Sequence, residues 1–354
     1  MLQNQHLIFL ALVATLLGLV ESMAAAPSRL VIVQNKGGGH GEIGYSLAKL
    51  VSSSAKATEV VIIQDTSYKP KAEPFCQYPE LVSNGVKIQE VKVSDNAALV
   101  AALSGMKFDV LIDNNSKDPL VAKALADAAS SSGATKYIYI SSGGMYTGDA
   151  PADGLGYMEA CCKVKEDNDC RKVEVALDDS AMKGRNLSFR PQYIYGKNTN
   201  KRGNIDYFID RIVRGLPVPM PGDGSQKVAL THVEDVSTLL WAASCSAESG
   251  VFNAGTDKFI TYAGLCEKIG KKLGKSVKFL SYDPKKVSKD LPKPGFPYRP
   301  SSFCLNPAKA KAAFKWSIAN DISNDIEAWV DQYLALKLGE KEFAEDAAIL
   351  SLTA

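Results

Sequence analysis

The sequence lacks several features that would indicate a specialised class of protein. It contains no internal repeat and no low-complexity tract, which excludes a repeat architecture. Its seven cysteines include no CxxC pair, so we expect scattered thiols rather than a disulfide framework or a structural zinc site. The net charge is only +2 and favours no class of partner by itself. What remains is a composition typical of globular proteins, 46% hydrophobic and 23% charged, in a chain of 354 residues that can bury a full core.

One apolar run, LIFLALVATLLGLV at residues 7–20, lies near the N-terminus. It has the length of a signal-peptide core and is too short to span a membrane comfortably. Small residues suited to cleavage follow at 22–24, although no Lys or Arg precedes the run. We predict that residues 1–24 are a cleaved targeting signal and that the mature form has no membrane segment. A short membrane anchor is the alternative.

Strand-like and helix-like segments alternate after this signal. The runs RLVIVQ, EVVIIQD, FDVLIDN and KYIYISS are rich in β-branched and aromatic residues, and Ala- and Leu-rich segments separate them. Such alternation predicts an α/β fold with a doubly wound parallel sheet. Beyond about residue 200 the chain is richer in Pro, Gly and Lys. We therefore expect a nucleotide-binding domain at 28–200, a smaller α/β domain at 201–335 interleaved with the sheet edge, and a tail at 336–354.

A glycine-rich turn follows the first predicted strand. Gly38, Gly41 and Gly44 form a GxxGxxG pattern that would allow a tight turn, close approach of a phosphate and close helix packing. Asp65 ends the second predicted strand, where a carboxylate can accept from both ribose hydroxyls. These residues predict a site for NAD or NADP, with NAD favoured because Asp65 would repel a 2′-phosphate. A glycine turn that serves only packing is the alternative.

Later motifs carry a more specific resemblance. Ser142 precedes Tyr146 by four residues in YIYISSGGMY, and FRPQYIYGKN and MPGDGSQKVALTHVEDV follow at 189–198 and 220–236. These strings resemble the SSxxxY, RPxxxYG and GDGxQ…HVxDV segments of the extended short-chain dehydrogenase/reductases. The resemblance covers residues 30 to about 335 and implies a Rossmann fold with a substrate-type C-terminal domain. It also implies that Ser142 would polarise a substrate.

The acid–base pair of that superfamily is missing. The resemblance places a tyrosine and a lysine eight and four residues before a glutamate, on the helix after the Ser142 segment. In KVKEDNDCRKVEVAL at 163–177, with Glu174 as the glutamate, Glu166 and Cys170 occupy those positions. A carboxylate and a thiol cannot replace the phenol and the ammonium group in proton transfer. Standard hydride chemistry is therefore not expected.

Several sequence segments resemble one particular family within this superfamily. NKGGGHGEIG, FDVLIDNNSKD, NIDYFIDRIVRGLPVPMPGDG and SYDPKK are similar to the chloroplast stem-loop binding proteins, atypical plastid members of the superfamily. The resemblance implies RNA binding, magnesium-assisted cleavage at stem-loops, association with plastid transcripts or ribosomes, and homo- or hetero-oligomers. It implies a plastid location, reached here through a secretory-type signal because no Ser/Arg-rich transit peptide is present. The secretory pathway is the alternative compartment.

Basic and aromatic residues in the second half fit an RNA ligand. Between Glu267 and Arg299, ten basic residues face three acidic ones, a local net of +7. Positive charge can follow phosphates while aromatic rings stack on unpaired bases. The candidate RNA-binding residues are Lys201, Arg202, Lys271, Lys272, Lys275, Lys278, Tyr282, Lys285 and Lys286. A solvated lysine-rich face is the alternative.

Cleavage of RNA would require further groups. Asp113 and Asp118 in DNNSKD are candidate catalytic residues and Mg²⁺ ligands, because the ion prefers oxygen donors. His40 in the glycine turn is a candidate general base, and Ser142 a candidate catalytic hydroxyl. Three interpretations stay open: an RNA-binding protein with possible endoribonuclease activity, an NAD-dependent nucleotide-sugar epimerase or dehydratase, and a non-catalytic scaffold regulated by a dinucleotide.

Overall fold

The computed structural model describes residues 25–35, 41–149, 151, 154–287, 296–338 and 347–352. A seven-stranded parallel sheet forms its centre. Its strands are β1 (Arg29–Gln34), β2 (Glu59–Asp65), β3 (Lys87–Val91), β4 (Val110–Asn114), β5 (Lys136–Ile140), β6 (Asn186–Pro191) and β11 (Gly250–Ala254). The short strands outside this sheet are β7 (Ile194–Tyr195), β8 (Val218–Pro221), β9 (Lys227–Ala229), β10 (Thr231–His232), β12 (Phe259–Thr261) and β13 (Phe279–Tyr282).

Eleven α-helices lie in the described residues. In chain order they are α1 (Gly41–Ser54), α2 (Tyr78–Ser83), α3 (Asn96–Leu103), α4 (Pro119–Ser131), α5 (Asp169–Asp178), α6 (Gly203–Val213), α7 (Val233–Ser244), α8 (Tyr262–Leu273), α9 (Ala308–Phe314), α10 (Ile322–Ala335) and α11 (Ala347–Leu350). None of the helices in the described ranges is both long enough and apolar enough to cross a membrane. The predicted signal at 1–24 lies outside these ranges.

The strand order is β11-β6-β5-β4-β1-β2-β3. Helices α1, α7 and α9 cover one face, while α3, α4 and α5 cover the other, so the strands are buried on both sides. Such strands read as continuous hydrophobic runs, which explains why β1 and β2 coincide with RLVIVQ and EVVIIQD. The order reverses between β1 and β4, and ligands of such sheets bind beyond the carboxyl ends of the strands at this point. The predicted doubly wound α/β fold is confirmed.

A second hydrophobic core lies outside the sheet. It joins α6, α8 and α10 with β8 and β13, and includes Phe208, Tyr262 and Trp329. The segment 201–335 does not all belong to this core, because β11 pairs with β6 in the main sheet and α7 packs on α1. The two halves of the molecule therefore exchange chain segments, and the cleft between them is lined by residues from both.

Candidate functional site

The glycine turn leads from β1 into α1, as the sequence predicts. Gly38 and His40 lie outside the described residues, and Gly41 is the first residue of α1. Gly44 lies against β1: a Cβ atom there would stand 2.2 Å from Gln34 Oε1 and 3.3 Å from Ile32 Cγ2. Gln34 is fully buried and accepts a hydrogen bond from Asn114 on β4 at 2.8 Å. Only glycine at position 44 allows the helix to lie this close to the strands.

We expect Gly44→Ala to lower the free energy of unfolding by about 1–3 kcal/mol, because the methyl group would overpack a buried contact. Urea unfolding followed by circular dichroism measures this loss. Gly203→Ala is the matched control, since nothing lies within 4 Å of a Cβ atom at that helical position. Equal effects of the two substitutions would contradict the packing role of Gly44.

A cavity of about 500 Å³ opens beside the end of β2. We name it the Asp65 cavity; Asp65, Lys92, Asn115 and Asp118 line it. The Asp65 side chain is 7% exposed, and its Oδ1 accepts hydrogen bonds from the backbone N–H and the hydroxyl of Ser67. This carboxylate ends β2 at the reversal point of the sheet, the position required for a contact to a ribose.

The DNNSKD segment stabilises the backbone around β4. Asp113 is fully buried; its Oδ1 accepts from the N–H groups of Asn115 (3.0 Å) and Ser116 (2.9 Å), and its Oδ2 accepts from the Tyr137 hydroxyl (2.6 Å). Asp118 caps α4 and accepts from the Leu120 N–H at 2.8 Å. No group of three or more His, Cys, Asp or Glu in the described ranges is arranged to hold a metal ion. Both Asp113 oxygens are committed to the fold, whereas Asp118 is exposed and caps α4 through Oδ1, so the magnesium site at these two residues stays a prediction.

A second cavity, of about 200 Å³, lies between the two halves of the molecule. We name it the Ser142 cavity; Ser142 and Gln192 from the sheet side meet Lys201, Tyr298, Arg299 and Trp329 from the smaller domain. The Ser142 hydroxyl oxygen accepts from the Gly144 N–H at 3.1 Å and caps a short 3₁₀ turn. Ser142 thus lies at the wall of this cavity, and its role in polarising a substrate stays a prediction.

Polar groups without partners mark the walls of the Ser142 cavity. The Oε1 atom of Gln192 and the hydroxyl of Tyr298 are buried and have no hydrogen-bond partner in the part of the chain that the structure describes. Tyr193, between β6 and β7, has a φ of 38°, a strained value for a residue other than glycine. Arg299 donates to the carbonyl oxygens of Tyr146 (3.0 Å) and Gly144 (2.7 Å) and lies over the Phe303 ring. Unpaired buried groups and strain of this kind concentrate at ligand sites.

The helix that should carry the acid–base pair is shorter than predicted. Asn168 caps α5 through its Oδ1, so the helix begins at Asp169 and Glu166 lies before it, exposed. The expected helix over 163–177 is therefore wrong at its start. Cys170 lies at the first turn, and burial raises the pKa of its thiol. A neutral thiol and an exposed carboxylate cannot transfer a proton and hold a ribose as a tyrosine and a lysine would.

A buried ion pair fixes the segment beside the Ser142 cavity. Arg190 donates to both Glu174 oxygens, at 2.9 and 2.7 Å, and the two side chains are 4% and 1% exposed. The Ser141 hydroxyl also donates to Glu174 at 2.6 Å, and Arg190 donates to the Tyr146 hydroxyl at 2.9 Å. Burial raises the pKa of Tyr146 to about 12, and its hydroxyl donates to Asn253. Tyr146 is thus a structural residue and not a free acid.

The basic residues separate into exposed and structural ones. Seven lysines of the smaller domain are exposed, and we call them the lysine surface: Lys268, Lys271, Lys272, Lys275, Lys278, Lys285 and Lys286. Within the described part of the chain, Lys272 alone among them forms an ion pair, with Asp331 at 2.8 Å. Lys201 is exposed at the rim of the Ser142 cavity.

Two candidate RNA contacts are corrected by the structure. Tyr282 is 4% exposed because β13 turns it toward the second core, so its ring cannot stack on a base. Arg202 lies over the Trp329 ring at 4.3 Å, pairs with Asp206 at 3.1 Å and donates to Gln332. Both side chains hold the smaller domain together.

Sequence reasoning missed several residues at the cleft. Gln192 and Trp329 reach the Ser142 cavity from distant parts of the chain, and nothing in the local sequence marks them. The sequence marks Arg299 only as one member of the basic stretch between Glu267 and Arg299. Glu42 had a signal that could have been used, because it is a charged residue in the first turn of α1, immediately after the glycines.

Comparison with known sequences identifies relatives of the chain. The sequence model of the NAD dependent epimerase/dehydratase family matches residues 37–255. A curated protein of Arabidopsis thaliana, the chloroplast stem-loop binding protein of 41 kDa b, is 28% identical over 253 residues. That match covers 70% of this chain and spans 63% of the relative's length. The resemblance predicted from the sequence is confirmed.

Solved structures share the fold. A dTDP-glucose 4,6-dehydratase from Bacillus anthracis, in complex with NAD, superposes with a TM-score of 0.67 at 14% identity and covers 87% of this chain and 96% of its own. A UDP-glucose 4-epimerase from Thermus thermophilus, in complex with NAD, gives 0.63 at 19% identity, with 86% and 99% covered. Identities this low establish the fold only. Given the sheet order, the glycine turn and the extent of the family match, the chain belongs to the NAD dependent epimerase/dehydratase family.

Proposed function

We propose that this chain is an RNA-binding protein of plastid type, which binds stem-loop RNA through the lysine surface and the rim of the Ser142 cavity. The observation that carries the proposal is the exposure of all seven lysines in one stretch of the smaller domain. The relative named as a chloroplast stem-loop binding protein supports the same ligand and a plastid location. In this proposal the partners are plastid transcripts or ribosomal RNA, and the protein works as an oligomer.

The Rossmann half would hold a dinucleotide that takes no part in hydride transfer. The close packing at Gly44 and the position of Asp65 fit such a ligand, and Asp65 favours NAD over NADP. NAD supplies a hydride acceptor where a tyrosine–lysine pair is present, but here Glu166 and Cys170 stand at those positions. The dinucleotide would therefore stabilise the cleft between the two halves of the molecule. The scaffold interpretation includes the same dinucleotide and differs from the RNA proposal only in the partner that the protein binds.

Strand cleavage would require side chains that are free to react with the RNA backbone. Asp113 is committed to the fold, Asp118 caps α4 through Oδ1, and His40 lies outside the described residues. Among the described candidates, Ser142 lines the Ser142 cavity and Asp118 lines the Asp65 cavity. Accordingly, RNA binding without metal-assisted cleavage is the expected activity.

A salt titration of binding to a fluorescently labelled stem-loop RNA tests this proposal. Because lysine–phosphate contacts release counterions, log K should fall linearly with log salt concentration, with a slope of roughly −0.7 to −0.9 per contact. A parallel gel in the presence of magnesium follows whether the RNA stays intact. Absence of binding at low salt would contradict RNA binding, and magnesium-dependent cleavage would contradict the expectation drawn from Asp113 and Asp118.

The Ser142 cavity favours one other candidate function. Its cation Arg299 and the buried polar groups of Gln192 and Tyr298 suit the polar parts of a nucleotide-sugar, which would make the chain an epimerase or dehydratase with a displaced acid–base pair. Incubation with NAD and UDP- or dTDP-hexoses, followed by chromatography, distinguishes the two functions. Turnover that is lost in Ser142→Ala would favour this candidate; no turnover is expected.

A further inference from the structure

A buried acidic side chain stands at the N-terminus of α1, where the glycine turn delivers the chain. Glu42 is 3% exposed and lies in the first turn of this 14-residue helix. Its Oε1 accepts from the backbone N–H of Asn198 at 3.1 Å, while its Oε2 is buried and has no hydrogen-bond partner among the described residues. A carboxylate with an unpaired buried oxygen is costly, so the site favours the neutral acid.

The surroundings of Glu42 come from both halves of the molecule. Gly196 lies so close that a Cβ atom there would be 2.5 Å from Glu42 Oε1, and Thr199 lies near enough to favour the ionised carboxylate. The charged groups that face Glu42 are Glu73, which disfavours its ionised form, and Arg202, which favours it. Burial is the largest influence and raises the pKa of Glu42 to about 7.

A negative charge on Glu42 would oppose the binding of an anion at the N-terminus of α1. The N-terminus of a helix after a glycine turn attracts phosphate groups through its free N–H groups and its dipole. An ionised carboxylate in the same turn repels a diphosphate, whereas a neutral carboxyl group does not. Binding of an anion there and protonation of Glu42 must therefore favour each other, because linkage between two ligands is reciprocal.

We propose that Glu42 makes dinucleotide binding proton-linked: the diphosphate enters the site together with a proton on this side chain. The inference rests on the proposed dinucleotide site and adds its regulation. The sign follows from the raised pKa. Below pH 7 Glu42 is already neutral and affinity is at its maximum, whereas above pH 7 each binding event must take up a proton, so affinity falls as pH rises.

Fluorescence titration with NADH between about pH 6.5 and 9 tests the inference on the full chain. We expect the Kd to rise with pH above 7, by up to tenfold per pH unit, and Glu42→Gln to bind with a Kd that stays near the low-pH value. This substitution keeps the size of the side chain and removes its charge. Glu80→Gln, which changes an exposed acid paired with Lys49, is the matched control and should keep the pH dependence.

Proton uptake gives a second readout. Calorimetry of NADH binding at pH 8, in buffers with different ionisation enthalpies, should show uptake of part of a proton by the unaltered protein and none by Glu42→Gln. NADH binding that is independent of pH in the unaltered protein would overturn this inference alone. Absence of NADH binding at every pH would overturn the dinucleotide site and the inference with it.

Discussion

Replacement of Arg190 by Met is expected to lower the free energy of unfolding by about 3 kcal/mol, because it removes the bidentate partner of the buried Glu174 carboxylate and leaves it the longer contact to Arg171 at 3.4 Å. Glu174 is 1% exposed, so solvent cannot take the place of the guanidinium group. The substitution also removes the hydrogen bond from Arg190 to the Tyr146 hydroxyl. Urea unfolding measures the loss. The same change should loosen the Ser142 cavity, since Ser141 and Tyr146 both contact this pair.

Two further variants make the Arg190 prediction specific. Adding Glu174→Gln to Arg190→Met should recover part of the stability, because the second change removes a buried charge that Arg171, at 3.4 Å, compensates only weakly. Lys49→Met breaks an exposed pair with Glu80 and should cost less than about 1 kcal/mol. If Arg190→Met costs no more than Lys49→Met, the buried pair does not anchor this segment.

Reversal of three charges on the lysine surface is expected to have the largest effect on RNA affinity. Lys271, Lys278 and Lys286 are exposed and are replaced together by Glu. With on the order of 1 kcal/mol for each lost contact to a phosphate, the affinity should fall by roughly a hundredfold. The slope of log K against log salt should become shallower by about 2–3. Fluorescence anisotropy with a stem-loop RNA gives both quantities.

A control with the same change in charge tests whether position matters. Lys56, Lys107 and Lys183 are also exposed, and they precede β2, β4 and β6 at the amino edge of the sheet. Their joint replacement by Glu should change the affinity only slightly, by the general loss of positive charge. Equal losses from the two triple variants would show that net charge alone determines binding, which would contradict an RNA site at the lysine surface.

The local sequence pattern predicted the strands of the central sheet, but it did not predict which side chains are exposed to a ligand. β1 and β2 could be read from the sequence because strands buried on both faces must be continuously hydrophobic, whatever their neighbours. Tyr282 could not be assigned in this way, since an aromatic residue among lysines looks like a stacking platform until β13 is placed beside β8. The helix expected over 163–177 begins only at Asp169, because Asn168 caps α5.

The sequence by itself determined the fold class, the family and the absence of a tyrosine–lysine pair, because these depend on residue types at fixed spacings along the chain. The tertiary structure decided which charged and polar groups are available to a ligand. The side chains of Asp113, Arg202 and Tyr282 contact residues that come close to them only after folding, so they are not available to a ligand. Folding also places Arg299 at the wall of the Ser142 cavity. The burial of Glu42 likewise depends on folding, because Gly196 and Asn198, which contact it, come from a distant segment of the chain. Desolvation of a carboxyl group requires neighbours on every side.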